Sequence, residues 1–283
     1  MSALTEIVWI VLRELRKSFR STKGIALSVI TLLVALSATL ILAKVNQLTR
    51  EKIPADVPLE EVNNQLQQAA GQLYEQMYNV DVAQALHGAP ITLFFIFLPT
   101  IWLSPLMVAI LGFDTVSAET QYKSVRYWTN RVRRTSYYLG KFFGLWSTVS
   151  LLTFVMSFLI WIVCIVRGVC TVSEIASWGL RFWLMTLPIS AAWCGFAILI
   201  GSLFNSPMVS LIAIVASFFV IWVTWLIGSA TNSLPLLHLY PNHYDRYLLL
   251  SSSIGIAKGI GGCLALATAS VAAGALRFKM RDI

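Results

Sequence analysis

Charged residues are scarce in this 283-residue chain, since only 12% of its positions are Asp, Glu, Lys or Arg. Apolar residues make up 57%, well above the roughly 45–50% of ordinary soluble domains. This imbalance excludes a soluble globular protein. A bilayer core about 30 Å thick requires about 20 apolar residues per crossing helix, and runs of that length recur along the chain. The composition therefore predicts an all-α, polytopic membrane protein.

Motifs that carry catalysis or cofactor binding are also scarce. The sequence has no GxxxxGK[ST] phosphate-binding loop, so we expect no ATP site in this chain. Its four cysteines form neither a CxxC pair nor a Cys/His pair at metal spacing, so no metal site is predicted. One pairing stays open, because Cys164 and Cys170 would form a disulfide if their loop faced an oxidising compartment.

What the sequence does have is six apolar runs of transmembrane length. Pro99, Pro105 and Pro188 fall inside them and are expected to be kinks that neighbouring helices accommodate. The predicted spans are about 25–43, 91–112, 142–166, 182–204, 208–228 and 258–276.

Three segments outside the spans have patterns of their own. Residues 1–23 place apolar side chains, and Glu14, at three- and four-residue steps with basic ones on another face, which predicts an amphipathic helix on the membrane surface. Residues 44–90 predict an external helical segment. Residues 231–257 mix apolar and polar groups around two prolines, which predicts a re-entrant outer segment before the last span.

The basic residues are distributed unevenly between the two sides of these spans. Fourteen of the 21 Lys and Arg residues lie in the N-terminal segment, in residues 113–141 and in the C-terminal tail. Because basic residues favour the cytoplasmic side, both termini and residues 113–141 are predicted to be cytoplasmic, in a bacterial inner membrane. We interpret the net charge of +8 as topology and lipid-headgroup charge, and expect no nucleic-acid partner.

Residues 113–141 hold six of these basic residues, more than any other segment. A topology anchor would explain the charge but not the order of the other residues. On a helix, Tyr122, Val125 and Trp128 would fall at three-residue steps along one face, with Lys123 and Arg126 on another. This pattern predicts a short docking helix with an apolar face.

The order of residues here also carries a family resemblance. From Glu119 through "SVR", Arg134 and "LGKFFG", the segment resembles the cytoplasmic segment between the second and third spans of ABC-2 exporter permeases. In that family an acidic residue precedes a Gly-Thr-Leu-like turn, a Pro-x-x-Arg and a Gly-Lys. Lys123 stands where the family usually has Gly, and Arg131 where it usually has Pro.

The rest of the chain extends the resemblance. The turn "GSLFNSPMVSL" is similar to the second cytoplasmic loop of the family, and the six-span layout most resembles the branch that includes the permease of nitrous oxide reductase maturation. The resemblance implies one transmembrane domain over residues 1–283 and an exporter permease without catalytic residues or cofactors of its own. It implies as partners a cytoplasmic P-loop ATPase dimer, which binds ATP and Mg²⁺, a second permease copy and membrane lipids.

The resemblance also implies which residues couple the permease to the ATPase. They are Glu119, Tyr122, Ser124, Val125, Arg126, Trp128, Arg134, Gly140 and Lys141, with Asn205 and Ser206 in the second cytoplasmic loop.

Other hypotheses stay open. The stretch "HLYPNHYDR" has a His-x4-His spacing followed by Asp, so His243 and Asp245 would serve a membrane-embedded enzyme as an acid/base or metal site. The same residues suit polar caps at the headgroup level. An ATP-independent pore or scaffold is a third hypothesis. The sequence does not identify a substrate, although spans with few polar groups favour a hydrophobic cargo or force transmission.

Small residues recur at four-residue steps in the last span. Gly261, Ala265, Ala269 and Ala273 form one ridge, and Gly262, Ser270 and Gly274 lie on the adjacent one. Such ridges let helix backbones approach closely. The pattern predicts close packing, either within one subunit or between two.

Overall fold

The structure is a computed structural model that describes residues 2–52, 68, 70–124, 127 and 132–280. These residues form helices and connecting turns, and no strand occurs among them. The all-α prediction is therefore confirmed.

The described residues form twelve α-helices, numbered here in chain order, with a π-helical turn at Ile175–Gly179 and a 3-10 turn at Pro241–Tyr244. The helices are α1 (Ala3–Arg20), α2 (Thr22–Lys52), α3 (Val80–Ala85), α4 (Ile91–Gly112), α5 (Ser117–Gln121), α6 (Arg134–Val166), α7 (Val172–Glu174), α8 (Leu180–Leu203), α9 (Pro207–Thr231), α10 (Leu234–His238), α11 (Asp245–Leu248) and α12 (Ser253–Met280).

Five helical stretches within the described residues are long and apolar enough to cross a membrane, which confirms a polytopic helical protein. The first predicted span, residues 25–43, lies within α2, where the apolar stretch that meets the same criterion of composition is the shorter Thr22–Val34. This span stays a prediction. The five stretches are Ile91–Gln121, Arg134–Val166, Val172–Leu203, Pro207–Thr231 and Ser253–Met280.

Helix α8 lies at the centre of the bundle and packs against α4, α6, α9 and α12. Small side chains allow the neighbouring helices to pack closely around α8. Ala192, Cys194 and Ala197 leave room for them and are all fully buried. At Gly195, a Cβ atom would lie 3.1 Å from the backbone oxygen of Ala267 in α12. The contact between α8 and α12 therefore depends on close backbone approach.

The small residues of α12 do not all serve that packing. Gly274 and Gly262 are covered by aromatic rings, since a Cβ atom at either position would overlap the side chain of Tyr138 or Tyr244, respectively. Gly261 has nothing within 4 Å of the position of such an atom, and Ala265 and Ala269 are exposed. The adjacent ridge thus packs within the subunit, whereas the ridge of strict four-residue steps faces outward.

The segment before α12 folds back as three short helical pieces, namely α10, the 3-10 turn and α11. The interior of this segment is polar, since Asn242 accepts a hydrogen bond from Trp193 Nε1 (2.8 Å) and donates one to the backbone oxygen of Ile101 (3.3 Å). Because Trp193 and Ile101 lie midway along α8 and α4, the segment reaches into the bundle between these helices. This arrangement matches the predicted re-entrant segment in shape.

Candidate coupling site

Helix α1 docks on the first turns of α6 across two glycines. A Cβ atom at Gly140 would lie 2.7 Å from Ile10 Cβ, and one at Gly144 would lie 2.7 Å from Glu14 Cβ. Both positions need the absence of a side chain for the helices to approach so closely. The "LGKFFG" motif therefore builds the seat for the N-terminal helix, with Ile10 and Glu14 buried in it.

Lys141 lies between the two glycines and is completely buried, with 0% of its side chain exposed. Its Nζ donates to Glu14 Oε1 at 2.8 Å and to Glu119 Oε1 at 2.7 Å. A buried ammonium is costly unless it is paired and hydrogen-bonded, and here two carboxylates from different helices satisfy it. One side chain of α6 thereby holds both α1 and α5.

Glu119 makes two further polar contacts. Tyr137 donates its hydroxyl to Glu119 Oε2 at 2.5 Å, and Arg13 Nη1 lies 3.5 Å from Glu119 Oε1. The short helix α5 holds the carboxylate in place, because Ser117 anchors its first turn by donating to the backbone oxygen of Phe113 at 2.5 Å. The result is a charge-balanced group of two acids and two bases. We call Arg13, Glu14, Glu119, Tyr137 and Lys141 the ionic cluster.

The chain turns sharply just after Glu119. Helix α5 ends at Gln121, and Lys123 has φ 54°, in the left-handed region that favours glycine. Ser124 Oγ then donates to the backbone oxygen of Glu119 at 3.2 Å. Tyr122 therefore lies in a turn, whereas Val125 and Trp128 lie outside the described residues, so the docking helix itself stays a prediction. The departure at Lys123 from the glycine of the family falls on the left-handed residue of this turn.

The family of the chain follows from its match to a known protein family. A family model described as "ABC-2 family transporter protein" matches residues 8–283. The chain belongs to the ABC-2 transporter family. It is accordingly a multi-pass membrane protein and a transport subunit rather than an enzyme. No curated protein matched the chain.

The structure of this ABC-2 protein brings together only part of the predicted coupling set. Glu119 and Lys141 meet in the ionic cluster, with Gly140 beside them. Tyr122 projects outward and is 77% exposed. Arg134 Nη1 donates to the backbone oxygen of Lys279, at the end of α12, over 3.1 Å.

The other predicted residues are not brought into this cluster. Asn205 is exposed in the turn between α8 and α9, and Ser206 precedes the first turn of α9, where its backbone oxygen accepts from the Ser210 N–H at 2.9 Å. Both helices pack against α5. Val125, Arg126 and Trp128 lie outside the described residues, so their docking role stays a prediction.

Three members of the ionic cluster were not predicted, namely Arg13, Glu14 and Tyr137. The sequence does hold a sign of Glu14, because it is an acid among the apolar positions of the face predicted for residues 1–23. An acid on such a face needs a partner. Its partner lies 127 residues away in the sequence, and only the folded chain identifies it.

The outer segment places its acid and its histidine differently from either prediction. Asp245 accepts from the Tyr78 hydroxyl at 2.9 Å and from the Arg246 N–H at 2.6 Å. His243 is buried, with 5% exposed, and its ring lies 5.5 Å from that of His238 between centroids. The prediction of polar caps at the surface is therefore wrong for His243. Its burial links the segment to the bundle.

Burial also dominates the titration of these groups. It raises the pKa of Asp245 to about 6, although the Tyr78 hydroxyl and the Arg246 N–H act in the opposite direction. It lowers the pKa of His243 to about 4, with the charges of Arg246 and His238 adding to the effect. Within the described residues, no group of three or more His, Cys, Asp or Glu side chains is placed to hold a metal ion. The carboxylate of Asp245 is already engaged, which favours a structural role.

Proposed function

We propose that this ABC-2 protein is the permease subunit of an ATP-driven exporter in a bacterial inner membrane. It would pair with a second permease copy and with two cytoplasmic ATPase subunits, which bind ATP and Mg²⁺ while this chain binds no cofactor. The observation that carries the proposal is the ionic cluster. It ties α1, the end of the α4–α5 stretch and the start of α6 together beside the basic segment predicted to dock on the ATPase.

The connection between α5 and α6 gives this cluster a mechanical role. Helix α5 ends at Gln121, two residues after Glu119, and α6 begins at Arg134. If closure of the ATPase pair moves this connection, the force reaches α5 at Glu119 and α6 at Lys141. Because Lys141 bonds to both carboxylates, α1 moves with them. Rigid-body movement of such a unit would switch the spans between inward-facing and outward-facing arrangements.

Substrate and subfamily remain predictions from the sequence. The similarity of layout to the branch of the nitrous oxide reductase maturation permease supports a task of that kind, including force transmission to an extracytoplasmic partner. The apolar spans support a hydrophobic cargo equally.

The test is association with the cognate ATPase and nucleotide turnover in nanodiscs. Trp128→Ala removes the predicted aromatic anchor, and loss of such an anchor costs about 2–4 kcal/mol, or about 30-fold or more in affinity. Tyr122→Ala removes an exposed neighbour and should weaken binding less. Glu119→Gln should leave the complex assembled while uncoupling turnover from transport.

Trp102→Ala is the matched control, because Trp102 is 52% exposed on α4 within a candidate span, away from the basic segment. It should bind the ATPase as the wild type does. If Trp128→Ala, Tyr122→Ala and Glu119→Gln all bind and stimulate the ATPase normally, the segment is only a topology anchor and the coupling proposal is wrong.

A further inference from the structure

Helix α6 ends in a tight turn that lies between two cysteines. Its last residue is Val166, and Gly168 follows with φ 64°, in the left-handed region that favours glycine. The N–H groups of Gly168 and Val169 donate to the backbone oxygens of Ile165 and Cys164, each at 2.9 Å. This paired pattern reverses the chain and returns it over the last turn of the helix.

The reversal brings Cys170 back to Cys164, because the Val169 N–H that bonds to the Cys164 oxygen directly precedes Cys170. Both cysteines are free and buried, with 3% and 6% exposed. The residue after Cys170 is also fixed, because Thr171 caps α7: its N–H donates to Glu174 Oε2 at 2.7 Å, and its hydroxyl oxygen accepts from the Glu174 N–H at 3.3 Å. Backbone hydrogen bonds before Cys170 and capping hydrogen bonds after it thus fix the chain on both sides of this residue.

We propose that Cys164 and Cys170 form a disulfide on the extracytoplasmic face. The inference rests on the proposed function only for its topology, in which this end of α6 faces outward. A disulfide needs Cα atoms within about 7 Å and facing Cβ vectors, and the tight turn favours such an approach because it holds the residue before Cys170 on the Cys164 oxygen. Disulfides persist in such oxidising compartments.

The oxidant is a disulfide-bearing thiol oxidoreductase of that compartment. The Cys170 thiolate attacks one sulfur of the donor disulfide, which forms a mixed disulfide and releases the other donor sulfur as a thiolate. The Cys164 thiolate then attacks the Cys170 sulfur and displaces the donor. Two cysteines are oxidised, and the donor is reduced to a dithiol that takes up both protons. The reaction takes place before the turn packs, since both thiols are buried afterwards.

The bond would fix more than its own turn. Trp161 lies one turn before Cys164 in α6, and its ring packs on Gly179, where a Cβ atom would lie 3.0 Å from Trp161 Cε2. Gly179 ends the π-helical turn that leads into α8. A covalent link between α6 and the start of α7 therefore stabilises the register of α6 against the entry to the central helix.

Differential alkylation tests the proposal. Membranes are denatured in the presence of N-ethylmaleimide, the light label, which blocks free thiols. Disulfides are then reduced, the released thiols are labelled with a heavier maleimide, and the label on each cysteine is identified by mass spectrometry. Cys164 and Cys170 should carry the heavy label. Cys194 and Cys263, which are buried in α8 and α12, should carry the light one. In Cys164→Ser, Cys170 should change to the light label. Reductant applied to the folded protein should leave the bond intact, because it is buried.

A topology control separates this proposal from the proposed function. Ser173 is exposed, so Ser173→Cys in a Cys164→Ser/Cys170→Ser background should react with an impermeant maleimide in intact cells. If it reacts while wild-type Cys164 and Cys170 carry the light label, the disulfide proposal alone is wrong. If it reacts only after permeabilisation, the topology is wrong and the disulfide proposal falls with it.

Discussion

The two polar groups at opposite ends of α12 deal with burial in different ways. In the ionic cluster, near its C-terminal end, the charges are kept and paired, with Lys141 between Glu14 and Glu119. In the outer segment, near its N-terminal end, burial shifts the pKa values toward the neutral forms, since it raises the pKa of Asp245 to about 6 and lowers the pKa of His243 to about 4. The first group joins three separate helices, whereas the second mainly holds one segment against the bundle.

This difference indicates different tasks. Paired charges on separate helices make each helix position depend on the others, because moving one leaves a buried charge without its partner. A neutral group such as His243 imposes a smaller penalty when a segment shifts. Helix α12 connects the two ends, since Phe278 stacks on Tyr137 at 5.6 Å between centroids while Gly262 faces the Tyr244 ring. We therefore expect tight coupling at the ionic cluster and a more adjustable contact at the outer segment.

The largest expected effect is that of removing the buried ammonium. Lys141→Met leaves two carboxylates facing each other in the interior, and breaking a buried pair in this way costs about 3–5 kcal/mol. Thermal unfolding of the protein in nanodiscs should show this loss. Adding Glu14→Gln to Lys141→Met should recover part of it, because one buried charge disappears.

Lys23→Met is the control for that experiment. Lys23 pairs with Asp114 at 2.8 Å, but the two side chains are 44% and 27% exposed. A surface pair of this kind contributes about 0–1 kcal/mol. Equal effects of Lys141→Met and Lys23→Met would contradict the view that the ionic cluster is a buried, mutually dependent unit.

The sequence predicted the transmembrane helices better than the two polar groups that they hold. Long apolar runs gave five of the helices near their observed places, although α6 begins at Arg134 rather than near residue 142 because its first turns are buried against α1. The ionic cluster could not be predicted, since Glu14 and Lys141 meet only after folding. The burial of His243 was missed because polar neighbours in the sequence suggested a surface turn. Lys123 stood out only as a departure from the glycine of the family. Its positive φ explains why a glycine is usual at this position.

The next effect is a pH dependence that sharpens the contrast. Because the pKa of Asp245 is raised to about 6, this group stabilises the fold at low pH, and its contribution is lost as the pH rises from about 4 through 6. Because the pKa of His243 is lowered to about 4, its contribution is present above pH about 6.5 and is lost as the pH falls through 4. In the wild type the two contributions oppose each other. At about 1.4 kcal/mol per pKa unit, each is on the order of 2 kcal/mol after solvent screening.

Single substitutions should uncover each contribution. Relative to wild type, Asp245→Asn should become less stable on acidification from pH 6.5 to 4, and His243→Gln should become more stable. Thermal unfolding across this pH range measures both slopes, with Arg246, His238 and Tyr78 left in place around the two groups. If the slopes of both variants match that of the wild type, the outer segment does not shift these two pKa values as described.

The smallest expected effect concerns the seat of α1. Gly140→Ala places a Cβ atom 2.7 Å from two atoms of Ile10, so α1 must shift away from α6. Overpacking of this kind costs about 1–3 kcal/mol, and the shift also lengthens the bond between Glu14 and Lys141. The matched control is Gly261→Ala in α12, which meets nothing within 4 Å and should be neutral or stabilising by about 1 kcal/mol, because alanine favours helix over glycine. Thermal unfolding in nanodiscs compares the two. If Gly140→Ala also uncouples ATP turnover from transport while Gly261→Ala does not, α1 belongs to the coupling unit; if the two variants behave alike, α1 is only an anchor and the ionic cluster works through α5 and α6.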